Sequence, residues 1–234
     1  RQKTHISDKT GNRLLVIADP VFQLTDQRAQ KVEDQRLAGL DNEVQGRLMA
    51  AIEDFAGGYI KFDRLPQTGA LAQNLSRLYP GLTDSFTGFE ASKKVFLENS
   101  ARKMSQYDKI IFATHGLFND RIPGISEPFL ALSMLPQGAN GFLTMTDVMT
   151  LKADLSIVAL TACQTGLGKN QTGEGVMSMG RAFQYIGARS VLMSLWSVAE
   201  KSSVTLIEIF FKNLKEGKDK LTCLDIARKE VRSQ

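Results

Sequence analysis

The sequence predicts an α/β fold: a mostly parallel sheet with helices on both faces. Short apolar runs alternate along the chain with amphipathic stretches of helical period, the pattern of repeated strand–helix units. The runs are continuous rather than alternating apolar and polar, as in strands covered on both sides. Two of the runs end in a reactive side chain followed by a glycine-bearing turn: Lys109 to Gly116 carries His115, and Leu155 to Gly166 carries Cys163.

The elements follow in order. Arg13-Leu14-Leu15-Val16-Ile17-Ala18 closes on Asp19-Pro20 and predicts a buried parallel strand. Residues 23–47, rich in Gln, Arg, Asp and Glu, predict a mobile polar insertion, with a helix after it that ends at Gly57-Gly58. Tyr59 to Leu65 predicts a second strand. Leu71, Leu75 and Leu78 share one face of a helix over 69–79, stopped by Pro80-Gly81. A short strand is expected over 83–87 and a helix over 90–104, directly before the His115 strand. A Pro/Gly loop, an apolar segment over 129–135 and a short helix over 146–151 separate it from the Cys163 strand. Beyond Cys163 come a polar loop (164–173), a helix over 174–186 stopped by Gly187, and an apolar strand over 190–196. A long helix over 202–215 and a last one from Leu221 complete the chain.

Composition narrows the function classes. The 234 residues fit one large domain or two small ones, with 43% hydrophobic and 23% charged residues. The net charge of +4 is mild and the basic residues are interspersed with acids, which argues against direct nucleic-acid binding. No stretch of eighteen apolar residues is present, so no membrane span is expected. Two cysteines in unlike contexts make no disulfide framework, and a reducing cytoplasm is the expected location. No Met opens the chain, which reads as a piece of a longer polypeptide. No set of ligands has metal spacing, and no cofactor is expected.

A thiol becomes a good nucleophile once a neighbouring imidazole takes its proton. Parallel strands ending at the same rim deliver both groups to the crevice where α/β sheets bind ligands. The competing readings are a buried histidine hydrogen-bonded at a strand end and, for Cys163, a small core residue. The separation, 163 − 115 = 48 residues, leaves room for one crossover and one adjacent strand. The backbone amides of Gly116 and Cys163 are candidates for an oxyanion hole. Cys223, within an apolar helical stretch, is assigned to packing, and His5 has no role. The loop Gly166-Leu167-Gly168-Lys169-Asn170 fails as a phosphate loop. That pattern needs Gly at Cys163 and Ser or Thr at Asn170, and the dinucleotide pattern needs Gly at Gln171.

The segments ATHG (113–116), LTACQTGLG (160–168), GEG (173–175), GRAFQYIGARSVLMSLWSV (180–198) and FFKNLKEG (210–217) closely resemble the CHAT domain, a caspase-like cysteine peptidase fold. RLLVIADPVF, RLP and SFTGFEASKKVF extend the resemblance upstream. It implies a single caspase-like domain, a three-layer sandwich over 1–234. It also implies an endopeptidase in which His115 is the general base and Cys163 the nucleophile, with Gly116 and Cys163 forming the oxyanion hole. Ser194, Leu195, Trp196 and Ser197 would line the pocket for the residue before the cut, and Glu174 could face a basic one. For Glu174 the competing reading is an acid that stabilises a helix N-terminus. For Trp196 it is a core cap. Family members act with TPR-type repeats, and some with RNA-guided effectors or gasdermin-like substrates in bacterial defence. The rival readings are an idle caspase-fold scaffold for protein–protein interaction and a nucleotide-binding domain.

Overall fold

The computed structural model describes residues 12–23, 26–29, 62–117, 126–134, 141–161, 174–194 and 198–233, without the side chains of Leu117 and residues 174–178. Five strands form the central sheet: β1 (Arg13–Pro20), β2 (Thr83–Gly88), β3 (Tyr107–Ala113), β7 (Ile157–Leu160) and β8 (Val191–Met193). Their order is β2-β1-β3-β7-β8, and every pair is parallel. The strand order reverses between β1 and β3, so the C-terminal ends of these two neighbours open the crevice expected of such sheets.

The sheet is apolar on both faces because alternate residues of each strand feed two separate cores. Leu15, Ile17, Ile110, Phe112, Val158 and Leu160 point to one side. There they meet Phe96 of α2 (Lys93–Lys103), Val148 of α3 (Met145–Met149) and Met179, Ala182 and Phe183 of α4 (Glu174–Tyr185). Rings of Phe96, Phe112 and Phe183 follow one another through the sheet–helix contact at 5.1 and 5.4 Å. Leu14, Val16, Ala18, Ile111, Ala113, Ile157 and Ala159 point the other way. They are covered by α1 (Pro66–Leu78), α5 (Glu200–Lys215) and α6 (Lys220–Arg232). Each fully buried Leu, Ile or Phe contributes about 1.5–3 kcal/mol. The three-layer, caspase-like sandwich predicted from the sequence is therefore the observed architecture.

Local chemistry sets the element ends. Pro66 opens α1 where a missing N–H costs nothing. Ser92 caps α2 through Val95 N, which delays that helix to Lys93. Thr144 and Asp147 form a reciprocal capping box at α3, and Asp219 caps α6. Gly187 ends the α4 segment at φ +117°. A Cβ there would lie 2.0 Å from the Ala153 carbonyl, so only glycine fits.

Two features depart from the sequence-based expectation. First, residues 62–65 of the expected 59–65 strand do not join a sheet. Their carbonyls are taken elsewhere: Phe62 O accepts from Gln23 Nε2 at 2.6 Å, Asp63 O from a histidine, and Leu65 O from the first turn of α1. A segment whose acceptors serve side chains and a helix start has none left for a ladder. Second, a small antiparallel sheet of β4 (Gly116–Leu117), β5 (Phe129–Ala131) and β6 (Phe142–Thr144) was not foreseen as a sheet. The expected insertion over 24–25 and 30–47 and its following helix lie outside the described residues, as does the loop over 164–173.

Candidate active site

β3 leaves the sheet at Ala113 and runs through Thr114 and His115 straight into β4. Thr114 turns its hydroxyl onto the Ala131 carbonyl, and Ala131 N donates to the His115 carbonyl at 2.8 Å. These bonds fasten the corner between the two sheets, so the imidazole is held on both sides along the chain. Gly116 faces Leu130 in the small sheet. The bond from Ala131 N to the residue before Gly116 makes this a pair that exchanges no hydrogen bonds. The Gly116 N–H therefore projects from the edge of β4 that faces away from β5.

His115 is 96% shielded from solvent, with a relative exposure of 4%. Its ring stacks on Phe62 at 5.4 Å and 30°, and tilts against Phe22 at 5.3 Å. Phe22 comes from the exit of β1 and Phe62 from the segment before α1. Phe142 of β6 backs Phe62 at 6.4 Å, so the small sheet supports the aromatic box from behind. His115 Nε2 lies 2.7 Å from the Asp63 carbonyl oxygen. A carbonyl can only accept, so Nε2 carries the proton and Nδ1 is the basic nitrogen. Burial holds the imidazole below its usual range, against the smaller opposite pull of the Asp63 carbonyl. The ring is thus neutral at physiological pH, as a general base must be before it acts.

Beside it, at the exit of β1, Asp19 adopts a left-handed backbone (φ +45°) and is buried. Arg64 grips its carboxylate with two nitrogens, Nε to Oδ1 at 3.0 Å and Nη2 to Oδ2 at 2.8 Å. Arg28 adds Nη1 to Oδ2 at 2.9 Å and reaches the Asp19 and Pro20 carbonyls. The sequence analysis missed Phe22, Phe62, Asp63, Asp19 and Arg64. A backbone acceptor such as Asp63 O leaves no residue-type signal; the Asp-Pro pair at 19–20 did mark the strand end, but not the ion pair.

Other predicted site residues divide as follows. Cys163 lies outside the described residues, as do Leu195, Trp196 and Ser197 and the side chain of Glu174. Glu174 is the first residue of α4, and Ser194 follows β8 directly and is half-buried. Cys223 is fully buried on α6, with its sulfur 3.6 Å from the Lys218 carbonyl, and burial pushes its thiol up. Among the described residues no group of three or more His, Cys, Asp or Glu could hold a metal ion, and no helix is long and apolar enough to cross a membrane.

A family model described as the CHAT domain matches residues 1–234. Among curated proteins, Tetratricopeptide repeat protein 28 of Homo sapiens is 36% identical over 91 residues, and its counterpart in Mus musculus is 32% identical over 91. The matched stretch is 39% of this chain and only 4% of either relative's length.

Proposed function

We propose, from the premise that this chain belongs to the CHAT domain family with its caspase-like, peptidase-related fold, that it is a cysteine endopeptidase working through His115 and Cys163. The observation that carries this reading is the register of the central sheet. Lys109 pairs with Ile157 and Phe112 with Leu160, an offset of 48 between β3 and β7. His115 and Cys163 are separated by the same 48 positions, each three residues past the last pair of adjacent parallel strands. Thr161 N still bonds to the Phe112 carbonyl at 3.0 Å, so the strands remain side by side at their exits.

The chemistry follows from the protonation of His115. Nε2–H is held by Asp63 O, leaving Nδ1 to take the proton of the Cys163 thiol. The thiolate attacks the scissile carbonyl carbon and its oxygen becomes an anion. The N–H groups of Gly116 and Cys163 would stabilise that oxyanion. Collapse of the intermediate breaks the C–N bond, and the imidazolium returns the proton to the leaving amine. Water, deprotonated by His115, then hydrolyses the thioester and restores the thiol. No cofactor enters any step. Ser194, Leu195, Trp196 and Ser197, at and beyond the end of β8 next to β7, and Glu174 at the start of α4 are the proposed substrate-binding residues.

The family, together with relatives whose name speaks of tetratricopeptide repeats, supports regulation by a TPR-repeat region or partner protein. An RNA-guided effector or a gasdermin-like substrate, in bacterial defence, belongs to the same proposal. Two cysteines in unlike contexts make no disulfide framework, which supports a cytoplasmic setting.

Cleavage of a proteome-derived peptide library, read by mass spectrometry, tests the function. Cys163→Ala is expected to lower cleavage by at least about 10,000-fold and His115→Ala by about 1,000-fold. Cys223→Ala should stay within a few-fold of wild type. Cleavage by Cys163→Ala at the wild-type rate would contradict the assignment.

A further inference from the structure

We infer that Arg64 and Asp19 are positioning residues of the proposed dyad: their two-nitrogen ion pair fixes where the Asp63 carbonyl sits, and that carbonyl selects the tautomer of His115. The inference rests on the reading of His115 as the general base.

The geometry leaves little slack. Asp63 and Arg64 are consecutive, so the carbonyl that accepts the His115 proton is bonded to the backbone nitrogen of the residue whose half-exposed side chain grips Asp19. The residue before them, Phe62, stacks on the His115 ring itself. Arg64 cannot shift along the chain either, because Pro66 begins α1 two residues later. Thr68 N and Oγ1 both bond to the Leu65 carbonyl, at 3.1 and 2.7 Å.

Asp19 is anchored in turn. Its N–H donates to Thr68 Oγ1 at 2.9 Å. A Cβ at Gly69 would lie 3.2 Å from Asp19 Oδ2, so the first turn of α1 closes tightly over the carboxylate. A non-glycine residue held at φ +45° is strained, and such strain persists where the surroundings over-determine it. A planar fork binding both carboxylate oxygens restricts orientation as well as distance, which a single cationic contact does not. The same residues thus tie the exit of β1, the segment before α1 and the imidazole at the exit of β3.

Arg28 provides the internal comparison. It also pairs with Asp19 Oδ2, but it lies outside the 62–65 segment and carries a second carboxylate, Asp26, at 2.6 Å. Removing Arg28 changes the charge around Asp19 without releasing Asp63. The charge of Asp63, whose side chain is exposed, favours protonation of His115, while burial opposes it more strongly.

The chain holds two histidines, so 15N-histidine NMR reports His115 directly once His5→Gln removes the other signal. In the wild type the Nε2-protonated, Nδ1-basic tautomer should dominate. Arg64→Ala is expected to shift His115 toward a mixed population of the two neutral tautomers, and Arg64→Lys to give an intermediate one. Arg28→Ala should leave the His115 signal unchanged. The lysine variant keeps a cation and decides the matter even if Arg64→Ala does not fold. In cleavage assays Arg64→Lys should lower kcat about 10-fold or more with KM within about twofold, as outer-shell positioning changes do. A wild-type His115 spectrum in every folded Arg64 variant overturns the proposal, as does an equal change in Arg28→Ala. The tautomer readout needs no substrate. If the peptidase reading fails, no protein cleaves anything, yet the NMR result still decides whether the clamp sets the ring.

Discussion

At the scale of the residue, the surroundings of His115 disfavour its charged form. Phe22 and Phe62 flank the ring and solvent is excluded, which outweighs the opposite pull of the Asp63 carbonyl on Nε2. Its lowered folded pKa fixes the sign of a pH effect. The unfolded ring, near about 6.5, binds a proton more readily than the folded one. The stability contributed by neutral His115 is therefore complete above about pH 6.5 and is lost as pH falls toward the folded value. Urea unfolding at pH 7.5, 6.5 and 5.5 should show a steeper loss of stability for wild type than for His115→Gln. Equal slopes in the two proteins would mean that His115 does not titrate abnormally. The sequence displayed His115 itself, because a histidine at the polar exit of an apolar run is conspicuous. It did not display what orients or holds the ring, since Asp63 accepts the Nε2 proton through its backbone and Phe22 and Phe62 look like any core aromatic.

At the scale of the element, long buried strands and amphipathic helices were legible. β1, β3 and β7 are continuous apolar runs, and α1, α4 and α5 begin and end within a few residues of the periodic pattern. Strands of two or three residues such as β4, β5 and β6 are too short to show a period, and their pairing depends on the corner at Thr114. Over 62–65 Phe62 and Leu65 imitated the end of a strand, while the hydrogen bonds went to Gln23, His115 and α1. Gly187 was legible as a helix stop, and its geometry yields a comparison. Gly187→Ala meets both an unfavourable φ and the Ala153 carbonyl, whereas Gly217→Ala meets the φ of +86° alone, with open space around it. Gly187→Ala should cost about 3 kcal/mol and Gly217→Ala about 1 kcal/mol. Thermal unfolding should then fall by roughly 10 °C and roughly 3 °C. Equal shifts would show that the contact between Gly187 and the 153–155 segment is looser than the packing indicates.

At the scale of the whole molecule, the sandwich explains why chemistry collects at one rim. Five parallel strands present their carboxyl ends together, and the order reverses between β1 and β3. The exit of β1 supplies Asp19 and Phe22, the exit of β3 supplies His115 and Gly116, and β7 leads toward Cys163. Helices on both faces bury Cys223 on the far side of the sheet from α4, which makes it an internal reference for thiol reactivity. The central claim is that His115 and Cys163 act as base and nucleophile. The most direct measurement is the rate of modification of each cysteine by a thiol-reactive probe between pH 5 and 9, in wild type and in His115→Ala. The account predicts that Cys163 reacts at least about tenfold faster than Cys223 near neutral pH, as a paired thiolate does, and that this advantage is lost in His115→Ala. A Cys163 rate that His115→Ala leaves unchanged across the pH range would contradict it.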